Sequence, residues 1–407
     1  MSPGLPHPPI WGFGIRVNQF LRLLARRHEV TLLTYQEPEE EEKVAAVADL
    51  GVTVHTVPRP KSTEAGKRKA QLASIPSTVS YQRRSLHSAA MQAKLDELTA
   101  QARFDVIQIE SSQLGGFDFN SRAVLVVDEH NIEYELLYRM YQTERAAVRR
   151  LYNWLEFVKF RREETTTWRN VSGCVMTSSR ELTIVNGIAP ETPTIVGPNA
   201  VDVEFFRPSG EPPRRQALVM TGLMSYRPNV DGALYFVRDI FPKLLATRPD
   251  LTFYIVGAGA TDELKQLAGP NVIVTDTVPD VRPYVHEAAV FVVPLRMGGG
   301  TRLKVLEGLA MAKPVVSTSV GCEGIDVAHG EHLLIADDPE TFAQEILRIL
   351  ADESLMDRLG RAGRTLVETR YRWEAVVDRL EEFYWRLLQR PGAAGGSLTT
   401  ARASTEP

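Results

Sequence analysis

The sequence predicts an α/β protein built of two Rossmann-like, doubly wound domains facing a cleft, and three observations carry that prediction. Short apolar runs of strand type alternate with helical stretches from residue 28 onward. The alternation is interrupted by TPTIVGPNAVDVEFFRPSGEPPRR (192–215), whose prolines and glycines mark a linker between domains. A second alternating series then begins, and 407 residues suit two domains.

The elements follow in order. HEVTLLTY (28–35), VTVHTVP (52–58), FDVIQIE (104–110), AVLVVDEH (123–130) and VSGCVMTSS (171–179) read as strands of the first domain. ALVMTG (217–222), LTFYIVGAG (251–259), VIVTDTV (272–278), VFVVPL (290–295) and PVVSTS (314–319) read as strands of the second. A last helix, roughly 373–389, carries Trp373, Phe383, Tyr384 and Trp385. The implied boundaries are 1–195 for the first domain and 196–372 for the second. A helix at 373–390 is expected to cross back to the first domain, and the small, polar tail at 391–407 reads as disordered.

Composition narrows the class. With 43% hydrophobic and 24% charged residues, the chain is an ordinary water-soluble one, and a net charge of −4 gives no general pull toward nucleic acid. Cys174 and Cys322, the two cysteines, suit a reducing cytosol and offer neither a disulfide framework nor a zinc site. There is no run of about eighteen apolar residues, and the start MSPGLPHPPIWGFG is too broken by proline and glycine for a signal peptide. A cytoplasmic protein is expected.

The stretch VFVVPLRMGGGTRLKVLEGLAMAKPVVSTSVG (290–321) carries the clearest chemistry. Gly298, Gly299 and Gly300 sit in a turn between a buried strand and a helix, at the sheet edge where open α/β folds bind ligands. Without side chains they admit a ligand to the backbone N–H groups. The helix start adds its unpaired amides and positive dipole end, and Arg302 and Lys304 add full charges. Glu307 lies three residues after Lys304, on the same face, where a carboxylate suits the vicinal hydroxyls of a ribose. Glycines, two cations and a placed acid together predict a phosphate–ribose site.

These pieces also resemble a known family. RRHEVTLLTY, VSGCVMTSS, GPNAVDVEFFRP, VMTGLMSYRPNVDG, FYIVGAGA, the block VPDVRPYVHEAAVFVVPLRMGGGTRLKVLEGLAMAKPVVSTSVGCEGI and a late YRWEAVVDRLEEFY occur in the order seen in retaining glycosyltransferases of the GT-B fold. The likeness is to glycosyltransferase family 4, the glycosyl transferases group 1, in a PLRxGGGTRLK-type subgroup. It implies a sugar moved with retention from a nucleotide-diphosphate donor to a hydroxyl of a saccharide or lipid-linked acceptor, in cell-envelope or exopolysaccharide synthesis. It implies a donor site of Gly222, Arg227, Val278, Gly299, Gly300, Thr301, Arg302, Lys304 and Glu307, the last on the ribose. Two departures stand out. The family's donor-sugar glutamate would fall on Gly299, and Leu223 replaces the arginine of the domain opener, leaving Arg227 as a partial substitute.

For the first domain, the resemblance sets His130, ending AVLVVDEH, against the transferred sugar, and Glu110, ending FDVIQIE, is a second strand-end candidate; both are expected to be catalytic. GFGIR, with Gly12, Gly14 and Arg16, resembles the N-terminal glycine loop that faces the diphosphate. The family's first strand should stand directly ahead of SPGLPHPP, so an upstream start is expected. DEHNIE is not a His-Glu-x-x-His arrangement, and no Asp-x-Asp stands at a strand end, so neither metal nor cofactor is expected beside the donor.

Between Arg139 and Arg169, eight cations face four acids, a local +4, with Tyr152, Trp154, Phe157 and Phe160 interleaved. A basic amphipathic helix on anionic lipid and a core stripe with a solvated charged face both fit this pattern. Other functions also remain open at this level. A nucleotide-sugar epimerase would use the same fold without an acceptor, and a non-catalytic nucleotide-sugar-binding protein fits the missing glutamate. VGAGA (256–260) suggests a dinucleotide oxidoreductase but lacks the G-x-G-x-x-G ending.

Overall fold

A computed structural model describes residues 1–9, 12–59, 64–210, 213–297 and 302–390. The chain forms two compact units, one of Met1–Pro198 with Val377 and beyond, the other of Asn199–Val376.

In the first unit, β1 (Thr31–Gln36) pairs in parallel with β2 (Thr53–Pro58). Strands β3 (Val106–Glu110), β4 (Val124–Glu129), β5 (Gly173–Met176) and β6 (Thr194–Val196) form a second parallel sheet in that order. Met1 and Ser2 stand between the two sheets: the Ser2 N–H donates to Leu33 O (2.9 Å) and the Glu110 N–H donates to Met1 O (3.0 Å). Helices α1 (Gly12–Leu24), α2 (Glu41–Ala48), α3 (Glu64–Ser74), α4 (Tyr81–Leu86), α5 (Ala89–Gln101), α6 (Glu133–Thr143), α7 (Ala147–Asn170) and α8 (Ser179–Ile188) connect the strands. All six residues of β4 are buried, which is why its sequence reads as a continuous apolar run closed by two acids.

The second unit is a six-stranded parallel sheet in the order β12-β11-β10-β7-β8-β9. Its strands are β7 (Arg214–Thr221), β8 (Thr252–Val256), β9 (Val272–Asp276), β10 (Ala288–Val293), β11 (Val315–Ser317) and β12 (Leu334–Ile335). Its helices are α9 (Arg227–Tyr235), α10 (Phe241–Thr247), α11 (Asp262–Lys265), α12 (Arg282–Glu287), α13 (Leu303–Ala310), α14 (Pro339–Ala351) and α15 (Glu353–Arg370). Beginning the order at the middle strand and running outward both ways is the doubly wound arrangement, with its switch point between β7 and β10. Phe236, Phe253, Phe291 and Phe342 fill the core, each fully buried.

Helix α16 (Trp373–Leu388) starts in the second unit and from Val377 belongs to the first. There Arg27 pairs with Asp378 (2.7 Å) and His28 Nε2 meets Glu381 Oε1 (2.5 Å), while Phe383 and Leu387 are buried. The stretch read as one linker, 192–215, is more structured than expected. It holds β6, whose three residues are too few to show a strand period, and its last two residues already belong to β7. Among the described residues no helix is long and apolar enough to cross a membrane. The tail at 391–407 lies outside the described residues.

Candidate functional site

In the second unit the site is built where β7 and β8 end side by side, Thr221 opposite Val256. The two loops that follow touch backbone to backbone: Gly222 donates its N–H to Val256 O (3.0 Å), and Met224 donates to Ala258 O (2.7 Å). Glycine is required on both sides. Gly222 has φ 149° and Gly257 φ 140°, and a Cβ on Gly257 would stand 1.9 Å from the Gly222 carbonyl oxygen. The Gly222 N–H is therefore spent on the neighbouring loop, and what Gly222 offers a ligand is space.

That space is overlooked by a cation. Asn229, buried in α9, donates through Nδ2 to Leu223 O (2.8 Å) and accepts through Oδ1 from Lys304 Nζ (2.5 Å). A Cβ on Gly222 would come within 2.8 Å of Lys304 Nζ and of Asn229 Nδ2. Lys304 and Glu307 are half-buried on α13. Burial, reinforced by the Arg302 charge and opposed by Glu307, lowers the Lys304 ammonium to about 7. Burial likewise raises Glu307 to about 7, against the pull of Lys304. Both groups are held away from their preferred charged forms, as expected of a site built to meet a charged ligand. Arg302, nearly buried, stands directly ahead of α13.

The other expected donor residues are placed less centrally. Arg227 opens α9 and is exposed, and Val278 is half-buried against the core of the unit. Gly299, Gly300 and Thr301, with Gly298, lie outside the described residues. Asp276, at φ 56°, accepts the N–H groups of Gly259 (2.9 Å) and Ala260 (3.2 Å) and so ties the loop after β8 to β9.

In the first unit β3 and β4 end in register, Glu110 opposite Asp128. His130 follows, with Nε2 2.9 Å from Glu110 Oε2 and 4.0 Å from Asp128 Oδ2. The ring of Phe13 lies 4.9 Å from the His130 ring. Asp128 is gripped by Arg16, whose Nε and Nη2 donate to its two oxygens at 2.8 and 2.6 Å, both side chains being inaccessible. Burial acts to lower the Arg16 guanidinium, but Asp128 overcomes it and the net shift is upward. Burial raises Asp128 in spite of Arg16. Burial would also raise Glu110, but the bond and charge of His130 hold it below the ordinary carboxylate range.

Two expectations for this unit are corrected. Gly12, Gly14 and Arg16 belong to α1 itself, whose first turn begins at Gly12, and not to a loop ahead of it. Arg16 turns inward, where its guanidinium neutralises Asp128. Glu110, Asp128 and His130 do offer ligand atoms within 4.8 Å of one another, which bears on the absence of a metal site expected from motifs. The donor set fits a divalent ion poorly, because Arg16 already occupies both oxygens of Asp128. Sequence reasoning missed Asn229 and the Arg16–Asp128 pair altogether. A buried asparagine directly after the proline of YRPN was the one available hint for the first, and 112 residues separate the partners of the second.

Comparison with known proteins accords with this geometry. A family model described as a glycosyl transferase 4-like domain matches residues 12–183, and one described as glycosyl transferases group 1 matches 215–352. The capsular polysaccharide biosynthesis glycosyltransferase CapM of Staphylococcus aureus is 29% identical over 30% of this chain and 33% of its own. The phosphatidyl-myo-inositol mannosyltransferase of Mycobacterium tuberculosis is 27% identical over 46% of this chain and 52% of its own. The chain thus spans a third to about half of the length of these curated relatives. Among solved structures, sucrose-phosphate synthase from Thermosynechococcus elongatus superposes with a TM-score of 0.68 at 18% identity, over 94% of this chain and 96% of that one. Anabaena HepE in complex with UDP-glucose gives 0.64 at 12%, over 95% and 98%. These likenesses show the GT-B fold. On that fold, a stretch matching the glycosyl transferase 4-like domain (12–183) is followed by one matching the glycosyl transferases group 1 (215–352).

Proposed function

We propose that this chain transfers a sugar, with retention of anomeric configuration, from a nucleotide-diphosphate donor to a hydroxyl acceptor. The observation that carries the reading is the Lys304 Nζ held by Asn229 over the side-chain-free surface of Gly222, where a bound diphosphate would keep it charged. The bond from the anomeric carbon to the diphosphate breaks and a bond to the acceptor oxygen forms, with the acceptor proton released. Negative charge grows on the leaving diphosphate, and a desolvated cation that needs no rearrangement stabilises it strongly. Glu307, next along the same helix face, is set for ribose hydroxyls. His130 serves the transferred sugar, as the family resemblance implies. No metal is required, because Lys304 and Arg302 supply the cationic charge.

The names of the relatives support a place in capsule or glycolipid synthesis, and HepE with UDP-glucose supports a nucleotide sugar as donor. The acceptor would be a saccharide or a lipid-linked one, reached at the cytoplasmic face of the membrane. For the second option the support lies in α7. Val148, Leu151, Trp154 and Val158 are 83%, 58%, 43% and 44% exposed along one helix face, between the exposed Arg149, Arg150, Arg161 and Arg162.

The donor assignment is tested by calorimetry with UDP and UDP-glucose. Glu307→Ala should lose about 1–3 kcal/mol of affinity for both by removing ribose hydrogen bonds. Lys304→Ala should weaken the diphosphates more than free uridine. Unchanged affinities in both variants would remove the site from this corner of the fold.

A further inference from the structure

Gln108 and Glu110 project from the same face of β3, as residues two apart on a strand do. Gln108 Nε2 donates to Glu110 Oε1 at 2.8 Å, and Glu110 Oε2 meets His130 Nε2 at 2.9 Å. At the other end the hydroxyl of Tyr384, on α16, donates to Gln108 Oε1. Four side chains from three elements therefore form one unbroken chain, Tyr384–Gln108–Glu110–His130, although Tyr384 is 276 residues from Gln108.

Each link dictates the direction of the next. Burial, with the charges of Asp128 and Glu110 against that of Arg16, pushes the Tyr384 phenol well above its ordinary value, so it stays protonated. A protonated phenol facing an amide oxygen leaves the amide NH2 facing the other way, toward Glu110. Glu110, held below the ordinary carboxylate range, is an acceptor on both oxygens. The nitrogen of His130 that faces it must then carry a proton. The remaining groups around the chain agree. Asp128 Oδ2, 4.0 Å away, lies on the same side of the ring as Glu110, Arg16 neutralises it, and the Met1 amine donates to the main-chain carbonyl of Gln108 at 2.6 Å, leaving the side-chain amide to Tyr384 and Glu110.

We propose that Gln108 and Tyr384 are positioning residues, which through Glu110 fix neutral His130 as its Nε2–H tautomer and present the Nδ1 lone pair to the substrate. Glu110 is on this account a positioning residue as well, and the group that meets substrate is His130 alone. The proposal rests on the reading of His130 as the histidine that serves the transferred sugar. It adds that a helix at the far end of the chain sets which atom of that histidine acts. Tautomer control through a hydrogen bond to the second ring nitrogen is a general device of working histidines.

The test is the 15N spectrum of the histidine-labelled full chain at a pH where His130 is neutral, with the His130 signals assigned by their loss in His130→Gln. The expected result is a pyrrole-type shift at Nε2 and a pyridine-type shift at Nδ1. In Tyr384→Phe and in Gln108→Leu the two shifts should move toward each other as the Nδ1–H form becomes populated. Glu110→Gln, which keeps an acceptor oxygen, should hold the bias better than Glu110→Leu. UDP affinity should stay within about twofold of the parent in all of them, since the donor corner is untouched. An Nδ1–H tautomer in the parent protein overturns the proposal, and so do unchanged shifts in Tyr384→Phe, a variant that removes one hydroxyl and should fold normally. Because the tautomer is read without donor or turnover, full activity of His130→Gln beside an Nε2–H signal would instead defeat the reading of His130 as an active-site residue.

Discussion

Lys304 stands half-buried over Gly222 with its pKa lowered to about 7 and Glu307 raised to about 7 behind it. For a lysine, a folded pKa below the ordinary value means that the fold prefers the neutral amine. Its contribution to stability is present at high pH and is lost as pH falls from about 10.4 toward 7. For Glu307 the preference for the neutral acid is present at low pH and lost as pH rises from about 4.3 toward 7. At pH 8 the empty site thus holds mostly neutral Lys304 and ionised Glu307. A bound diphosphate would restore the ammonium. UDP binding at pH 8 should take up protons, measured by calorimetry in buffers of differing ionisation enthalpy, and Lys304→Met should abolish the uptake. Equal heats in all buffers would contradict the shift. A second residue-scale outcome concerns Gly257, where any Cβ meets the Gly222 carbonyl. Gly257→Ala should cost at least about 2 kcal/mol, lowering the melting temperature by roughly 4–8 °C. At this scale Arg302, Lys304 and Glu307 of the proposed donor corner stand out in the sequence, because cations and an acid at a strand–helix junction form a local pattern. Asn229, Gln108 and the Arg16–Asp128 pair do not, because their partners are distant in the chain and amide or ion-pair geometry leaves no period in the sequence.

Among the elements, α7 shows most clearly what pattern reading sees and what it misses. The +4 of Arg139–Arg169 was countable, but the three acids that lie on α7 are all turned inward to hold neighbouring backbone. Glu156 accepts the Tyr81 N–H (2.6 Å), Glu163 the Ser80 N–H (2.8 Å), and Glu164 the N–H groups of Glu133 (3.0 Å) and Tyr134 (2.9 Å) at the start of α6. The outer face is therefore more basic than the count, and it carries the Val148–Leu151–Trp154–Val158 stripe besides. An apolar stripe flanked by arginines is suited to anionic headgroups, at about 1 kcal/mol per arginine near the surface. The protein should sediment with anionic vesicles at low salt, weakly with neutral ones, and less as salt rises. Changing Arg149, Arg150, Arg161 and Arg162 together to Ser should abolish this without altering UDP binding, and changing Leu151 and Trp154 to Ser should weaken it at every salt concentration. Absence of vesicle binding at low salt would favour a soluble acceptor. The strands, by contrast, were legible almost throughout, since buried parallel strands read as apolar runs. Among the described strands, the very short β6 and β12 escaped.

On the scale of the whole molecule, the two alternating series became two parallel-sheet units, and the order β12-β11-β10-β7-β8-β9 sets the proposed donor corner beside its switch point, at the carboxyl ends of the strands. The strand ends that carry the candidate residues were thus readable from topology, whereas the wiring behind His130 depended on α16 returning to the first unit, a contact no local window contains. The central claim is transfer from a nucleotide-diphosphate sugar. Its most direct test is release of nucleoside diphosphate from a panel of nucleotide sugars, with and without saccharide and lipid-linked acceptors, followed by the anomeric configuration of the product by NMR. The account predicts acceptor-dependent release with at least one donor, a product of the donor's own configuration, loss of release in Lys304→Ala and His130→Ala, and no effect of excess EDTA. An inverted product, turnover lost in EDTA and restored by manganese, or no acceptor-dependent release with any donor would contradict it.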